Sequence, residues 1–84
     1  MPQPEQTILV YGTTWCPDCT RAKKFFDQHC IPYQWINIEE VEGAADTVLE
    51  LNDGRRSVPT ILFPDGSVLV EPSNRELAQK MGLE

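Results

Sequence analysis

The chain is short of positive charge, of histidine and of long apolar runs. Seven Lys and Arg stand against thirteen Asp and Glu, a net charge of −6 at pH 7, which counts against nonspecific affinity for nucleic acid or an anionic membrane. No apolar run approaches the roughly 20 residues that span a bilayer. The opening Met1-Pro2-Gln3-Pro4-Glu5-Gln6 has neither the basic nor the apolar region of a secretory signal, and residues 1–6 are expected to be a frayed leader. Cysteine is scarce as well: Cys16, Cys19 and Cys30 are an odd number that builds no disulfide framework, and nothing else suggests an oxidising compartment. Repeats, linkers and low-complexity segments are missing. With 84 residues, 40% of them hydrophobic, the chain is expected to form a single domain over 1–84 with one modest core. The cytoplasm is its expected location.

What is present concentrates in Thr13-Thr14-Trp15-Cys16-Pro17-Asp18-Cys19. This stretch follows the apolar run Ile8-Leu9-Val10-Tyr11 and opens an amphipathic segment, so the two cysteines are expected at a strand-to-helix turn. A helix beginning at Pro17 puts proline at the first helical position, where its missing N–H costs nothing. Cys16 then caps the helix, and its sulfur faces unpaired N–H groups and the positive end of the dipole, which favour thiolate over thiol. Cys19, three residues on, shares that helical face with Cβ atoms roughly 5–6 Å apart, near enough to bridge. Cys16 is the expected nucleophile and Cys19 the expected resolving thiol of a disulfide-exchange cycle.

Two blander readings compete. A C-x-x-C pair with His29 and Cys30 supplies four zinc ligands, but along a helix over 17–29, at about 1.5 Å per residue, those two lie roughly 15 Å from Cys19. A structural disulfide between Cys16 and Cys19 closes too small a loop to stabilise much. No metal site is assigned.

Along the chain, Thr7 to Tyr11 suits a central strand covered on both faces. Pro17 to His29 reads as a helix packing by Phe25 and Phe26, broken by Ile31-Pro32. Tyr33 to Ile38 follows as a strand, and strand-helix-strand order favours a parallel, right-handed pairing. The acidic Glu39, Glu40 and Glu42 are expected at the start of a second helix, where the dipole welcomes negative charge. Val41, Ala44, Ala45, Val48, Leu49 and Leu51 supply its apolar face, and Asn52-Asp53-Gly54 its end. Thr60 to Phe63 and Val68 to Val70, joined by Pro64-Asp65-Gly66-Ser67, read as an antiparallel hairpin. Ser73-Asn74-Arg75-Glu76 has capping-box spacing for a last helix stopped by Gly82.

The order β-α-β-α-β-β-α, with Cys-Pro-Asp-Cys after the first strand and Val-Pro before the third, resembles the minimal thioredoxin fold of the glutaredoxin family. That fold is α/β, with a four-stranded mixed sheet flanked by three helices. Within the family the likeness is closest to mycoredoxins and related small bacterial redoxins. It is carried by Tyr11-Gly12-Thr13-Thr14-Trp15-Cys16, Asn52-Asp53-Gly54-Arg55-Arg56-Ser57-Val58-Pro59-Thr60 and Phe63-Pro64-Asp65-Gly66-Ser67, with Pro72-Ser73 beyond. The resemblance implies a cis Val58-Pro59 bond facing Cys16, with the Val58 backbone pairing to an extended substrate. It also implies a monomer without a tightly bound cofactor, reduced by a low-molecular-weight thiol, mycothiol or glutathione, and acting on protein disulfides or mixed disulfides. No lysine stands just before Cys16, and Glu71-Pro72-Ser73-Asn74 replaces the usual Gly-Gly and acidic residue; both departures count against efficient use of glutathione.

The candidate catalytic residues are therefore Cys16 and Cys19, and the candidate substrate- or thiol-binding residues are Thr14, Trp15, Pro17, Arg56, Val58 and Pro59. Arg55 and Arg56 enter the Val58-Pro59 corner, where a guanidinium can grip a carboxylate; Arg56 is nearer. Trp15 offers a flat apolar surface, while Thr13 and Thr14 shape the turn. Asp18 places a carboxylate near Cys16 that opposes thiolate formation. Cys30 reads as a buried small hydrophobe or a bystander, and His29 as a helix-end polar residue. An alternative reading is an NrdH-type redoxin, reduced by thioredoxin reductase and serving ribonucleotide reductase. Another, from a different class, is an iron–sulfur carrier sharing a cluster between two chains through Cys16.

Overall fold

A computed structural model describes residues 7–83; the expected frayed leader lies outside them. Strand β1 (Ile8–Gly12) leads through the cysteine turn into helix α1 (Pro17–Gln28), then strand β2 (Tyr33–Asn37), helix α2 (Ala44–Leu51), strands β3 (Thr60–Leu62) and β4 (Val68–Val70), and helix α3 (Asn74–Lys80). The sheet order is β2-β1-β3-β4. β1 runs parallel to β2, with Ile8 opposite Tyr33 and Gly12 opposite Asn37, and antiparallel to β3, which pairs antiparallel with β4. This is the mixed four-stranded sheet with three helices that the element order led one to expect.

Side chains alternate along β1, and so the strand serves two cores. Ile8 and Val10 pack with Ala22, Phe25 and Phe26 of α1, Ile61 and Phe63, and Leu77 of α3. Tyr11 turns to the other face, with Ile38, Ala44 and Val48 of α2 and, at the margin, Leu9 and Leu62. Phe26 is fully buried, and truncating it to alanine is expected to cost about 3–5 kcal/mol. At the α3 end the capping box is present: Ser73 Oγ accepts the Glu76 N–H and Glu76 Oε1 accepts the Ser73 N–H, each at 3.1 Å. Lys80 Nζ meets Asp65 Oδ2 at 2.7 Å, pinning the β3–β4 turn to α3. That ammonium, with the Ser67 hydroxyl and N–H, holds the Asp65 carboxyl well below the usual carboxylate range.

Two expectations need correction. Helix α2 starts at Ala44 rather than at the acidic cluster. Residues 39–42 form turns instead, because Asn37 gathers their amides. Its side-chain oxygen accepts the Glu39 N–H at 2.9 Å, and its carbonyl accepts those of Glu40 and Val41 at 3.1 and 2.9 Å. Gly43 at the cap then takes φ +82°, a conformation glycine adopts without the Cβ penalty, and Val41 is left exposed instead of joining the apolar face. The second correction concerns Cys30: of its two readings, the buried small hydrophobe is ruled out, since the residue is exposed. It has φ 55° and occupies the left-handed position that closes α1. Its N–H bonds to the Asp27 carbonyl at 3.2 Å and that of Ile31 to Phe26 at 2.9 Å, the pattern of a Schellman motif usually closed by glycine.

Candidate active site

The loop from β1 to α1 delivers both cysteines to the C-terminal edge of the central strand. Cys16 is the helix cap, with extended φ −89° and ψ 115°, and Pro17 follows in the first turn. The Cys19 N–H donates to the Cys16 sulfur at 3.3 Å, satisfying one of the orphan donors of the first turn. The Cys16 thiol in turn reaches the carbonyl of Val58, donating at 3.8 Å. A negative charge forming on the Cys16 sulfur therefore has an N–H donor and the positive end of α1 beside it. Asp18 is the opposing charge nearby, and Arg21 meets its carboxylate at 3.4 Å. Arg21 also donates to the Pro72 carbonyl at 3.0 Å, tying α1 to the approach to α3.

The two thiols differ in access. Cys16 keeps 8% of its surface exposed and Cys19 none. Burial, reinforced by the hydrogen bond to Cys16, pushes the Cys19 thiol up to about 12, against a smaller opposing pull from the Thr13 backbone. Cys19 thus keeps its proton at neutral pH, while Cys16 is the more accessible of the two sulfurs.

Facing Cys16, the Val58-Pro59 bond is cis. A short ladder holds this corner. Asn52 Nδ2 donates to Thr60 Oγ1, and Thr60 Oγ1 to the Ser57 carbonyl, both at 2.7 Å; the Glu71 N–H bonds to the Pro59 carbonyl at 2.9 Å. Pro59 is buried and Val58 half-buried. Between this corner and the cysteine loop opens a groove of about 330 Å³ lined by Thr13, Trp15, Ile38, Glu39, Arg56 and Val58. A larger cavity, about 390 Å³, lies at the other end of the sheet among Ile8, Ile31, Pro32 and Phe63, away from both cysteines of the motif.

Of the candidate residues, Trp15, Arg56 and Val58 come together in this groove beside Cys16. Thr14 and Pro17 are exposed and outside its lining, and Pro59 supports the corner from beneath. His29 packs its ring on Phe25, centroids 4.5 Å apart, at the far end of α1. Three residues carry weight that sequence reasoning did not give them. Thr13 is buried, and its hydroxyl has no hydrogen-bond partner among the described residues. Glu39 Oε1 accepts the Trp15 indole N–H at 3.1 Å across the groove; nothing in the sequence pairs two residues so far apart. Gly12 leaves room for the Cys19 thiol: a Cβ there would stand 2.5 Å from Cys19 Sγ and 2.8 Å from the Trp35 ring. A glycine closing a strand is the available signal, since it marks close approach of backbone to a neighbour.

Comparison with known proteins agrees with this geometry. The glutaredoxin family model matches residues 8–69. The chain belongs to the glutaredoxin family. A Mycobacterium tuberculosis protein, provisionally named a glutaredoxin, is 39% identical over 74 residues, covering 88% of each chain. Mycoredoxin 1 of Corynebacterium glutamicum is 34% identical over 74 residues, covering 88% of this chain and 91% of its own. Among solved structures, a variant of a thioredoxin-like protein superposes with a TM-score of 0.81 at 26% identity, covering 94% of this glutaredoxin and 99% of that chain. The fold is that of thioredoxin, and the general chemistry of this glutaredoxin is thiol–disulfide exchange. Among the described residues, no helix is long and apolar enough to cross a membrane.

Proposed function

We propose that this glutaredoxin is a cytoplasmic, monomeric dithiol oxidoreductase that reduces mixed disulfides between proteins and a mycothiol-type small thiol. Cys16 attacks and Cys19 resolves. The observation that carries the division of labour is the contrast between the two sulfurs: one caps a helix, accepts the Cys19 N–H and keeps some surface exposed, the other is wholly buried with its proton held to about 12. In the first step Cys16 thiolate forms a bond to one substrate sulfur, and the other sulfur leaves as a thiolate and takes up a proton. Cys19 then gives up its proton and attacks the Cys16 sulfur, releasing the second thiol and leaving a Cys16–Cys19 disulfide. Two electrons from an external thiol or reductase restore the dithiol. On this reading the Val58 backbone at the cis corner pairs with an extended substrate, and Trp15 and Arg56, which line the groove beside it, contact the small thiol.

The test is turnover of the Cys19→Ser variant, coupled to NADPH through the matching reductase, with mycothiol or glutathione mixed disulfides. Turnover with mycothiol well above that with glutathione is the expected result. Inactivity with both, while the wild type takes electrons directly from thioredoxin reductase, contradicts the small-thiol assignment and supports the NrdH-type alternative.

A further inference from the structure

Glu39 is fixed from two sides. Its backbone N–H is held by Asn37 Oδ1 at 2.9 Å, and the preceding Ile38 N–H by the Gly12 carbonyl at 3.0 Å, so the end of β2 is tied to the end of β1. Its side chain is held by the Trp15 indole at 3.1 Å. Trp15 itself is 68% exposed, and its ring lines the groove with Glu39. Glu39 is also the single acidic residue in the groove lining, and Arg56 the single basic one. Asp18, the other carboxylate close to Cys16, is met by Arg21 and lies outside the lining.

We propose that Glu39 determines which small thiols the groove accepts: its carboxylate offsets Arg56 and disfavours a thiol whose head group carries carboxylates. A dicarboxylate thiol such as glutathione meets like charge at the rim where its head must settle. A thiol with an uncharged head does not, and it keeps the Trp15 face as an apolar platform. The inference rests on Cys16 being the attacking thiol, and it deepens that reading by naming the charge class of the substrate.

The experiment uses the Cys19→Ser variant, so that only the first exchange is read. One peptide thiol is disulfide-linked in turn to cysteamine, 2-mercaptoethanol and 3-mercaptopropionate, whose heads are cationic, neutral and anionic. Cys16 attacks the small-thiol sulfur, the S–S bond breaks, and the peptide leaves as a thiolate that takes up a proton; peptide release is followed. Glu39→Gln removes the charge and keeps an oxygen for the Trp15 indole, whereas Glu39→Ala removes both. Glu39→Gln is expected to raise the anionic-to-cationic rate ratio about fivefold at low ionic strength, and to lose this effect in high salt. A ratio unchanged in Glu39→Gln, or one changed in Glu39→Ala alone, assigns Glu39 at most a tethering role and overturns the proposal. A change that survives high salt overturns it too. No reaction with any probe refutes the attacking role of Cys16, and the inference falls with it.

Discussion

Gly12→Ala is a one-carbon perturbation aimed at the resolving step. The added Cβ would lie 2.5 Å from Cys19 Sγ and 2.8 and 2.9 Å from two atoms of the Trp35 ring, all closer than carbon and its neighbours tolerate. Neither neighbour yields easily. Cys19 is fully buried in the first turn of α1, and Lys23 Nζ sits 3.9 Å above the centroid of the Trp35 ring. Overpacking of this kind costs about 1–3 kcal/mol, of which roughly 0.5–1 kcal/mol is returned because alanine suits a strand better than glycine. The net expectation is a loss of about 0–2.5 kcal/mol, read as a lower urea midpoint at unchanged slope. The kinetic consequence is more specific. Displacing Cys19 Sγ by even about 1 Å slows attack on the Cys16 mixed disulfide by on the order of 10²-fold, whereas the first exchange at Cys16 requires no attack by Cys19 Sγ. Single-turnover release of the two thiols separates these steps. A common loss of rate in both steps, or unimpaired resolution, refutes the claim that the missing Cβ positions the resolving thiol.

Cys30→Gly relieves a non-glycine residue at φ 55° and is expected to stabilise the protein by about 0.5–1 kcal/mol without altering disulfide exchange; thermal unfolding and an activity assay check both parts. Ser73→Ala removes the α3 cap and is expected to cost about 1 kcal/mol, measured by urea denaturation. Alkaline pH should destabilise the reduced protein through Cys19. The unfolded thiol loses its proton near the ordinary 9.0 and the folded one near about 12, so between these the native state binds more protons and stability falls as pH rises. The wild-type stability curve should therefore lose ground to that of Cys19→Ser above pH 9.0; parallel curves contradict the shift.

The parts legible in the sequence are those whose causes are local. Proline after Cys16, the continuous apolar run of Ile8 to Tyr11 and the Ser73–Glu76 spacing each act within a few residues, and each stands in the structure where its local chemistry places it. The start of α2 was misjudged because acidic residues do favour a helix N-terminus, but Asn37 offered the same amides a competing turn. Residue type alone leaves Cys30 either a buried small hydrophobe or a bystander, and the backbone that ends α1 decides against burial. Gly12 and Glu39 depend on partners far along the chain, Cys19 and Trp35 for one and Trp15 for the other. Such pairings exist only once β1, β2 and α1 are assembled; a glycine at the end of a strand marks a close approach but does not name the partner, and nothing local pairs Glu39 with Trp15.

The central claim is that Cys16 and Cys19 hold unequal roles, and mass spectrometry of trapped intermediates tests it most directly. After reaction with a protein–small-thiol mixed disulfide, Cys19→Ser should accumulate one adduct, on Cys16, and still release the target thiol, whereas Cys16→Ser should accumulate none and release none. An adduct on Cys19 in the Cys16→Ser variant, formed at a rate comparable to that on Cys16, would contradict the account.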